Sequence, residues 1–194
     1  MFIKICGLST EKDVQTAIDA GADALGFVFT NSPRRVSPNH ARSLCKNAGD
    51  HIIRVAVMRH PTPKEWNEVK SVFAPDWLQT DHEDFKSLEL EDCMPLPVFR
   101  TGYVFEKNKF PQRMLFEGTD SGAGEKANWK EATLTATSTQ LILAGGLTAK
   151  NVMIAIQTVR PWGVDVSSGV EVSRGTKDPS KIQEFIAQVR ATEQ

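Results

Sequence analysis

Short apolar runs recur along the chain, separated by longer stretches in which apolar positions fall three and four apart. The runs are "FIKIC" at 2–6, "ALGFVF" at 24–29, "IIRVAVM" at 52–58, "DWLQ" at 76–79, "LPVF" at 96–99, "RMLF" at 113–116, "LILA" at 141–144 and "WGVDV" at 162–166. Most are rich in Val, Ile, Leu or Phe and bounded by Gly, Pro or polar residues, the pattern of strands buried on both faces of a parallel sheet.

Helical windows lie between most of them. "STEKDVQTAIDAGA" offers Ser9 or Thr10 as N-cap, groups Val14, Ala17 and Ile18, and stops at Gly21. "SPNHARSLCKNAG" starts at Ser37 with Pro38 in the first turn and is expected to reach Gly49. "PTPKEWNEVKSVF" brings Trp66, Val69, Val72 and Phe73 together. "HEDFKSLEL" is a shorter candidate, and "NWKEATLTATS" follows a glycine-containing loop. "TAKNVMIAIQTV" is expected to begin with Thr148 as cap, and "DPSKIQEFIAQVRA" begins at Asp178. After the fifth run, "TGYVFEKNKFPQ" has room for one helical turn at most.

Eight strand-like runs alternating with about seven helices predict an α/β fold, a compact (β/α)8 TIM barrel with a reduced fifth crossover. The rival is an open doubly wound sheet, but no GxGxxG follows the first run. No linker or low-complexity segment divides the chain, so residues 1–194 are read as one catalytic domain.

Composition adds exclusions. Formal net charge is -1, which gives no pull toward nucleic acid or a membrane surface. No apolar run approaches the roughly 18 residues that span a bilayer, and "MFIKICGLST" lacks a signal-peptide core. Cys6, Cys45 and Cys93 are widely spaced, which predicts reduced thiols and a cytoplasmic location. The four histidines, His82 among them, stand in no ligand spacing, so no metal site is expected. With no exposed apolar repeat, the expectation is a monomer.

A closed barrel places its chemistry at the C-terminal strand ends. Cys6 ends the first run two residues after Lys4, so both side chains leave one face of the strand. A cation there lowers the thiol pKa and would supply thiolate near neutrality; the plain alternative is a packing cysteine. Arg34 and Arg35 lie in the loop after the second run, where one could hold a substrate carboxylate and solvation is the commoner fate. Gly145 and Gly146 follow the seventh run, and Ser167, Ser168 and Gly169 follow the eighth. Loops at those two positions form the recurrent phosphate site of such barrels, although ordinary turns use the same residues. Asp165, inside the eighth run, calls for either an ion-pair partner or a substrate contact. Glu117 closes the sixth run, facing "GTDSGAG".

The motifs "KICG", "GADALGFVF", "SPRRVSP", "LAGGL", "NV" and "VDVSSGVE" occur in an order and spacing that resembles the phosphoribosylanthranilate isomerase family of tryptophan biosynthesis. "KICG" and "DVSSGVE", about 160 residues apart, are the specific pair. The resemblance implies an Amadori rearrangement of N-(5-phosphoribosyl)anthranilate without cofactor or metal. It implies Cys6 as general base and a strand-6 carboxylate as general acid. Lys4, Arg34 and Asp165 fall on the substrate side, and Gly145, Gly146, Ser167, Ser168 and Gly169 on the phosphate. Three departures stand out. The family's strand-6 aspartate is replaced by Glu117, "SGAGEKANW" stands where a longer glycine loop and "FDW" are usual, and "QTDH" stands where "QLHG" is usual. Asp120 and Asp81 are therefore rival acids. The alternatives are the related histidine-pathway isomerase, which takes a two-phosphate substrate and ends strand 1 in aspartate, and a phosphosugar-binding barrel that no longer catalyses.

Overall fold

A computed structural model describes residues 1–106, 109–119 and 124–193. Eight parallel strands close on themselves in chain order: β1 (Phe2–Cys6), β2 (Ala24–Val28), β3 (Ile53–Val57), β4 (Trp77–Asp81), β5 (Met94–Arg100), β6 (Arg113–Glu117), β7 (Gln140–Leu143) and β8 (Gly163–Val166). The seam joins β1 to β8, with Lys4 opposite Asp165. A two-stranded antiparallel hairpin, β9 (Glu171–Ser173) and β10 (Thr176–Lys177), follows the barrel and was not foreseen in the sequence.

The helices are α1 (Glu11–Ala20), α2 (Pro38–Leu44), α3 (Pro63–Phe73), α4 (Trp129–Ala136), α5 (Val152–Val159) and α6 (Pro179–Arg190). Thr10 rather than Ser9 caps α1, and Gly21 ends it at φ 95° with its N–H on the carbonyls of Ala17 and Ile18. A capping box between Thr62 and Glu65 starts α3. Three expectations need correcting. Helix α2 stops at Leu44, well before Gly49. Helix α5 starts at Val152, because Thr148 opens a turn: its N–H donates to Asn151 Oδ1 and its carbonyl accepts from Asn151 and Val152. "HEDFKSLEL" yields only a 3-10 turn over Asp84–Ser87.

Between β5 and β6 no helix occurs among the described residues. Rings cover that side instead. Phe99 packs on His82, Tyr103 and Phe105 at centroid distances of 4.6, 4.8 and 4.8 Å, and Phe105 packs on Phe110 at 5.0 Å.

Alternation along each strand sorts the core into two parts. Ile3, Ile5, Leu25, Phe27, Leu78, Met114, Phe116, Leu141, Leu143, Val164 and Val166 pack under the helices. The barrel interior holds Ala24, Val55, Trp77, Leu96, Val98, Leu115, Ile142 and Ala144. Its floor is aromatic: Phe2 stacks on Trp77 and Trp162 at 5.4 and 4.6 Å, and the Arg113 guanidinium covers Trp77 at 4.0 Å. Above this floor the interior positions turn polar. No helix among the described residues is long and apolar enough to cross a membrane.

Candidate active site

A cavity of about 370 Å³ opens at the C-terminal ends of the strands. Its wall includes Cys6, Arg34, Gln79, Asp81, Arg100, Glu117, Asp165 and Ser167. These are the last one or two interior-facing positions of their strands or the loops just beyond. The period of two that fills the floor with rings therefore fills the mouth with chemistry.

Lys4 is fully buried and donates to Asp165 Oδ1 at 2.8 Å across the seam. That settles the first half of the Asp165 alternative: an ion pair exists, while the residue also lines the cavity. Cys6 sits one step higher on the same face, opposite Gly26. A Cβ on Gly26 would stand 3.0 Å from Lys4 Nζ and 3.1 Å from Cys6 Sγ, so glycine there makes room for both. The expectation that Lys4 alone decides the ionisation of this thiol needs correction. Burial pushes the Cys6 thiol above its ordinary range, and it outweighs Lys4 and Lys177, which pull the other way.

Arg34 turns inward and is buried, resolving the choice between the adjacent arginines. Its Nε and Nη2 donate to the Glu171 carboxylate at 2.7 and 2.9 Å, a bidentate pair. Lys177 binds the same carboxylate at 2.8 Å and Ser167 Oγ at 3.2 Å. The close pairing holds Glu171 down to about 2 in spite of its burial. Arg34 Nη1 makes no hydrogen bond to a described residue. The Arg34 side chain lies against Gly7, where a Cβ would come within 2.6 Å of Arg34 Cδ.

Glu117 ends β6 and Arg100 ends β5 as its register partner. Arg100 Nε lies 3.3 Å from Glu117 Oε1, and its Nη2 lies 2.5 Å from Asp81 Oδ1. His60 Nε2 stands 3.3 Å from the other Asp81 oxygen. Two of the three acid candidates thus share one arginine at the mouth. Asp120 lies outside the described residues.

The loops after β7 and β8 pack on each other and on the segment leading to α4. Gly145 and Gly146 have φ 84° and 63°. Added Cβ atoms there would meet the Glu125 carbonyl at 2.7 Å and the Gly124 carbonyl at 2.9 Å. A Cβ on Gly169 would lie 1.9 Å from the Leu147 carbonyl oxygen. The backbone N–H groups of Gly146, Ser168 and Gly169 have no acceptor among the described residues. Such amides, beside glycines, suit an anion.

Residues 3–188 match the family model described as N-(5'-phosphoribosyl)anthranilate (PRA) isomerase. The chain belongs to this isomerase family. N-(5'-phosphoribosyl)anthranilate isomerase of Streptococcus gordonii is 38% identical over 192 residues, covering 97% of each chain. That of Pelobacter propionicus is 34% identical over 203 residues, covering 98% of this chain and 96% of its own. Among solved structures, phosphoribosyl anthranilate isomerase from Thermus thermophilus superposes with a TM-score of 0.87 at 28% identity, covering 98% of this chain and 99% of that one. A further family structure, in complex with reduced 1-(o-carboxyphenylamino)-1-deoxyribulose 5-phosphate, gives 0.80 at 29% identity with the same coverage.

Within this phosphoribosylanthranilate isomerase barrel, the sequence-predicted Lys4, Cys6, Arg34, Asp81, Glu117 and Asp165 all meet at or beside one mouth, with the glycine loops on its β7–β8 side. Reading by sequence missed Glu171, Lys177 and Arg100, and it placed Gln79 at the end of the fourth run without giving it a role. Gln79 is buried, lines the cavity, and has an amide oxygen without a hydrogen-bond partner among the described residues. Arg100 was hidden by ending the fifth run at Phe99, one residue short of the strand's end. No three His, Cys, Asp or Glu side chains among the described residues stand close enough to share a metal ion.

Proposed function

We propose that the protein converts N-(5'-phosphoribosyl)anthranilate into 1-(2-carboxyphenylamino)-1-deoxyribulose 5-phosphate by general acid–base catalysis in tryptophan biosynthesis. The observation that carries this reading is the meeting of Cys6, Glu117 and Arg34 at one cavity beside the β7 and β8 loops, in a chain of this family. Glu117 protonates the furanose ring oxygen and the ring opens to a Schiff base. Cys6, as thiolate, removes the C2′ proton, and the resulting enolamine tautomerises to the ketone. Acid and base must hold opposite protonation states at one pH, which requires different surroundings. Cys6 has buried lysines beside it, whereas Glu117 shares its arginine with Asp81. Arg100 therefore keeps a carboxylate partner when Glu117 is the protonated member.

Arg34 Nη1 binds the anthranilate carboxylate, the guanidinium plane being fixed by Glu171. The amides of Gly146, Ser168 and Gly169 bind the phosphate, and Gln79 takes up a hydrogen bond from the sugar or the amine. Asp165 orients Lys4 and faces the sugar. The cavity lies within the size range of small-molecule sites. Residues 1–194 act as one catalytic unit, and we read it as a monomer.

An assay of aminoaldose consumption, without added metal or nucleotide, tests the reading. Wild type turns over. Cys6→Ala and Glu117→Gln each lose about 10²-fold or more in kcat, the scale of general acid–base catalysis. Inactive, well-folded wild type defeats the proposal, and near-normal Glu117→Gln moves the acid to Asp81 or Asp120.

A further inference from the structure

Five charged side chains are buried on the β1–β8 side of the mouth, Lys4, Arg34, Asp165, Glu171 and Lys177, while Glu117 is buried on the β6 side. Of the five, three are cations and two are carboxylates. Lys4 closes on Asp165 and Arg34 closes on Glu171, one cation to one carboxylate. Lys177 is the remainder. It shares Glu171 with Arg34, and its other contacts are the Ser167 carbonyl at 2.9 Å and hydroxyl at 3.2 Å. A buried charge without its own counter-charge is costly unless something nearby cancels it.

The fold brings Lys177 to this point deliberately in a local sense. Gly175, at φ 91°, turns the β9–β10 hairpin so that β10 returns toward the mouth, and its N–H donates to Glu171 Oε2 at 3.2 Å. Ser167, held by Lys177, lies against Gly7, the residue after Cys6: a Cβ on Gly7 would stand 3.1 Å from Ser167 Oγ. The groups facing Cys6 are Lys4 from β1, Asp165 from β8, Lys177 from β10 and Arg34 from the β2–α2 loop, while β2 presents only the uncharged Gly26. Asp81, Arg100, Glu117 and Arg174 line the same cavity.

We propose that Lys177 is a positioning residue for the base: it leaves the cluster on the β1–β8 side of the mouth with one buried positive charge in excess, and that excess is what lets Cys6 ionise. Without Lys177 the thiolate would face two closed ion pairs, Lys4–Asp165 and Arg34–Glu171, with no net charge to offset its own. With Lys177 present, a thiolate completes the charge balance of the cluster. The proposal rests on the reading of Cys6 as base, and it adds a residue that touches neither substrate nor the reacting atoms.

Iodoacetamide alkylation, followed at Cys6 by peptide mass spectrometry across a pH series, reads thiol ionisation without any turnover. Cys45 and Cys93, pushed by burial to about 12, serve as slow internal references. In Lys177→Met, a change that keeps length and leaves Arg34 paired to Glu171, the midpoint of the Cys6 rate moves up by about one pH unit, equivalent to roughly tenfold less thiolate below the midpoint. Lys177→Arg stays near wild type. Glu171→Gln, which removes a negative charge, moves the midpoint down. An unchanged midpoint in folded Lys177→Met overturns the proposal. If that variant does not fold, an unchanged or raised midpoint in Glu171→Gln overturns it instead. Full turnover by Cys6→Ala would defeat the base reading separately, because the alkylation midpoints do not depend on it.

Discussion

Arg100 and Glu117 are register partners at the ends of β5 and β6, with Arg100 Nε 3.3 Å from Glu117 Oε1 while the same guanidinium holds Asp81 at 2.5 Å. One cation thus stands between two carboxylates of the mouth. Two carboxylates close to one site raise each other's hold on a proton, and an interposed guanidinium suppresses that effect. In Arg100→Met the limb of the kcat/KM pH profile set by loss of the acid's proton is expected to move up by about one unit or more. Arg100→Lys should recover part of the shift. A profile that keeps its shape while the rate falls would show that Arg100 serves only to shape the wall.

Gly169 offers a test of the loop arrangement. Its missing Cβ accommodates the Leu147 carbonyl, which would otherwise be 1.9 Å away, so Gly169→Ala must push the β8 loop off the β7 loop. Overpacking of this kind costs about 1–3 kcal/mol. The separation should disperse the amides of Gly146, Ser168 and Gly169. Competitive inhibition by inorganic phosphate is expected to weaken about tenfold or more, a change of about 1.4 kcal/mol, with KM rising more than kcat falls. Unaltered phosphate inhibition in a folded variant would remove these amides from the phosphate site.

Much of this architecture was legible in the chain because buried parallel strands advertise themselves as short apolar runs between capped helices. Thr10 with Gly21, and Thr62 with Glu65, mark helix ends by hydrogen bonds that are local in sequence. Cys6 and Glu117 were found for a similar reason: each is a reactive group ending an apolar run, which a barrel turns into a position at its mouth. What stayed hidden depends on contacts between distant segments. Glu171 is 137 residues from Arg34, and nothing local distinguishes it from a solvated acid. Lys177 sits on a strand of two residues, too short to carry a pattern. The depth of the Cys6 pocket was equally invisible. A nearby lysine lowers a thiol's pKa, but how far burial opposes it is decided by every strand around the mouth. Gly26 looks like one more apolar-strand residue, and its purpose appears only when Lys4 and Cys6 are seen leaning over it.

The buried Glu171 gives a pH dependence whose sign can be worked out. In the folded chain its carboxyl is held down to about 2, against an ordinary value of 4.5. The folded state therefore binds the proton less readily than the unfolded one. The stabilisation from this residue is fully present above about 4.5 and is lost as pH falls toward 2. Arg34 and Lys177 stay charged throughout that window, so Glu171 is the member of the triad that titrates. Glu171→Gln keeps the shape but cannot ionise. Urea denaturation at pH 7, 6, 5, 4 and 3 is expected to show wild type more stable than the variant by a constant amount down to about pH 5. Below that the gap narrows by at most about 1.4 kcal/mol per unit. A gap that is the same at pH 3 as at pH 7 would mean that Glu171 gains nothing from Arg34 and Lys177 in its charged form, and the triad would have to be read as packing alone.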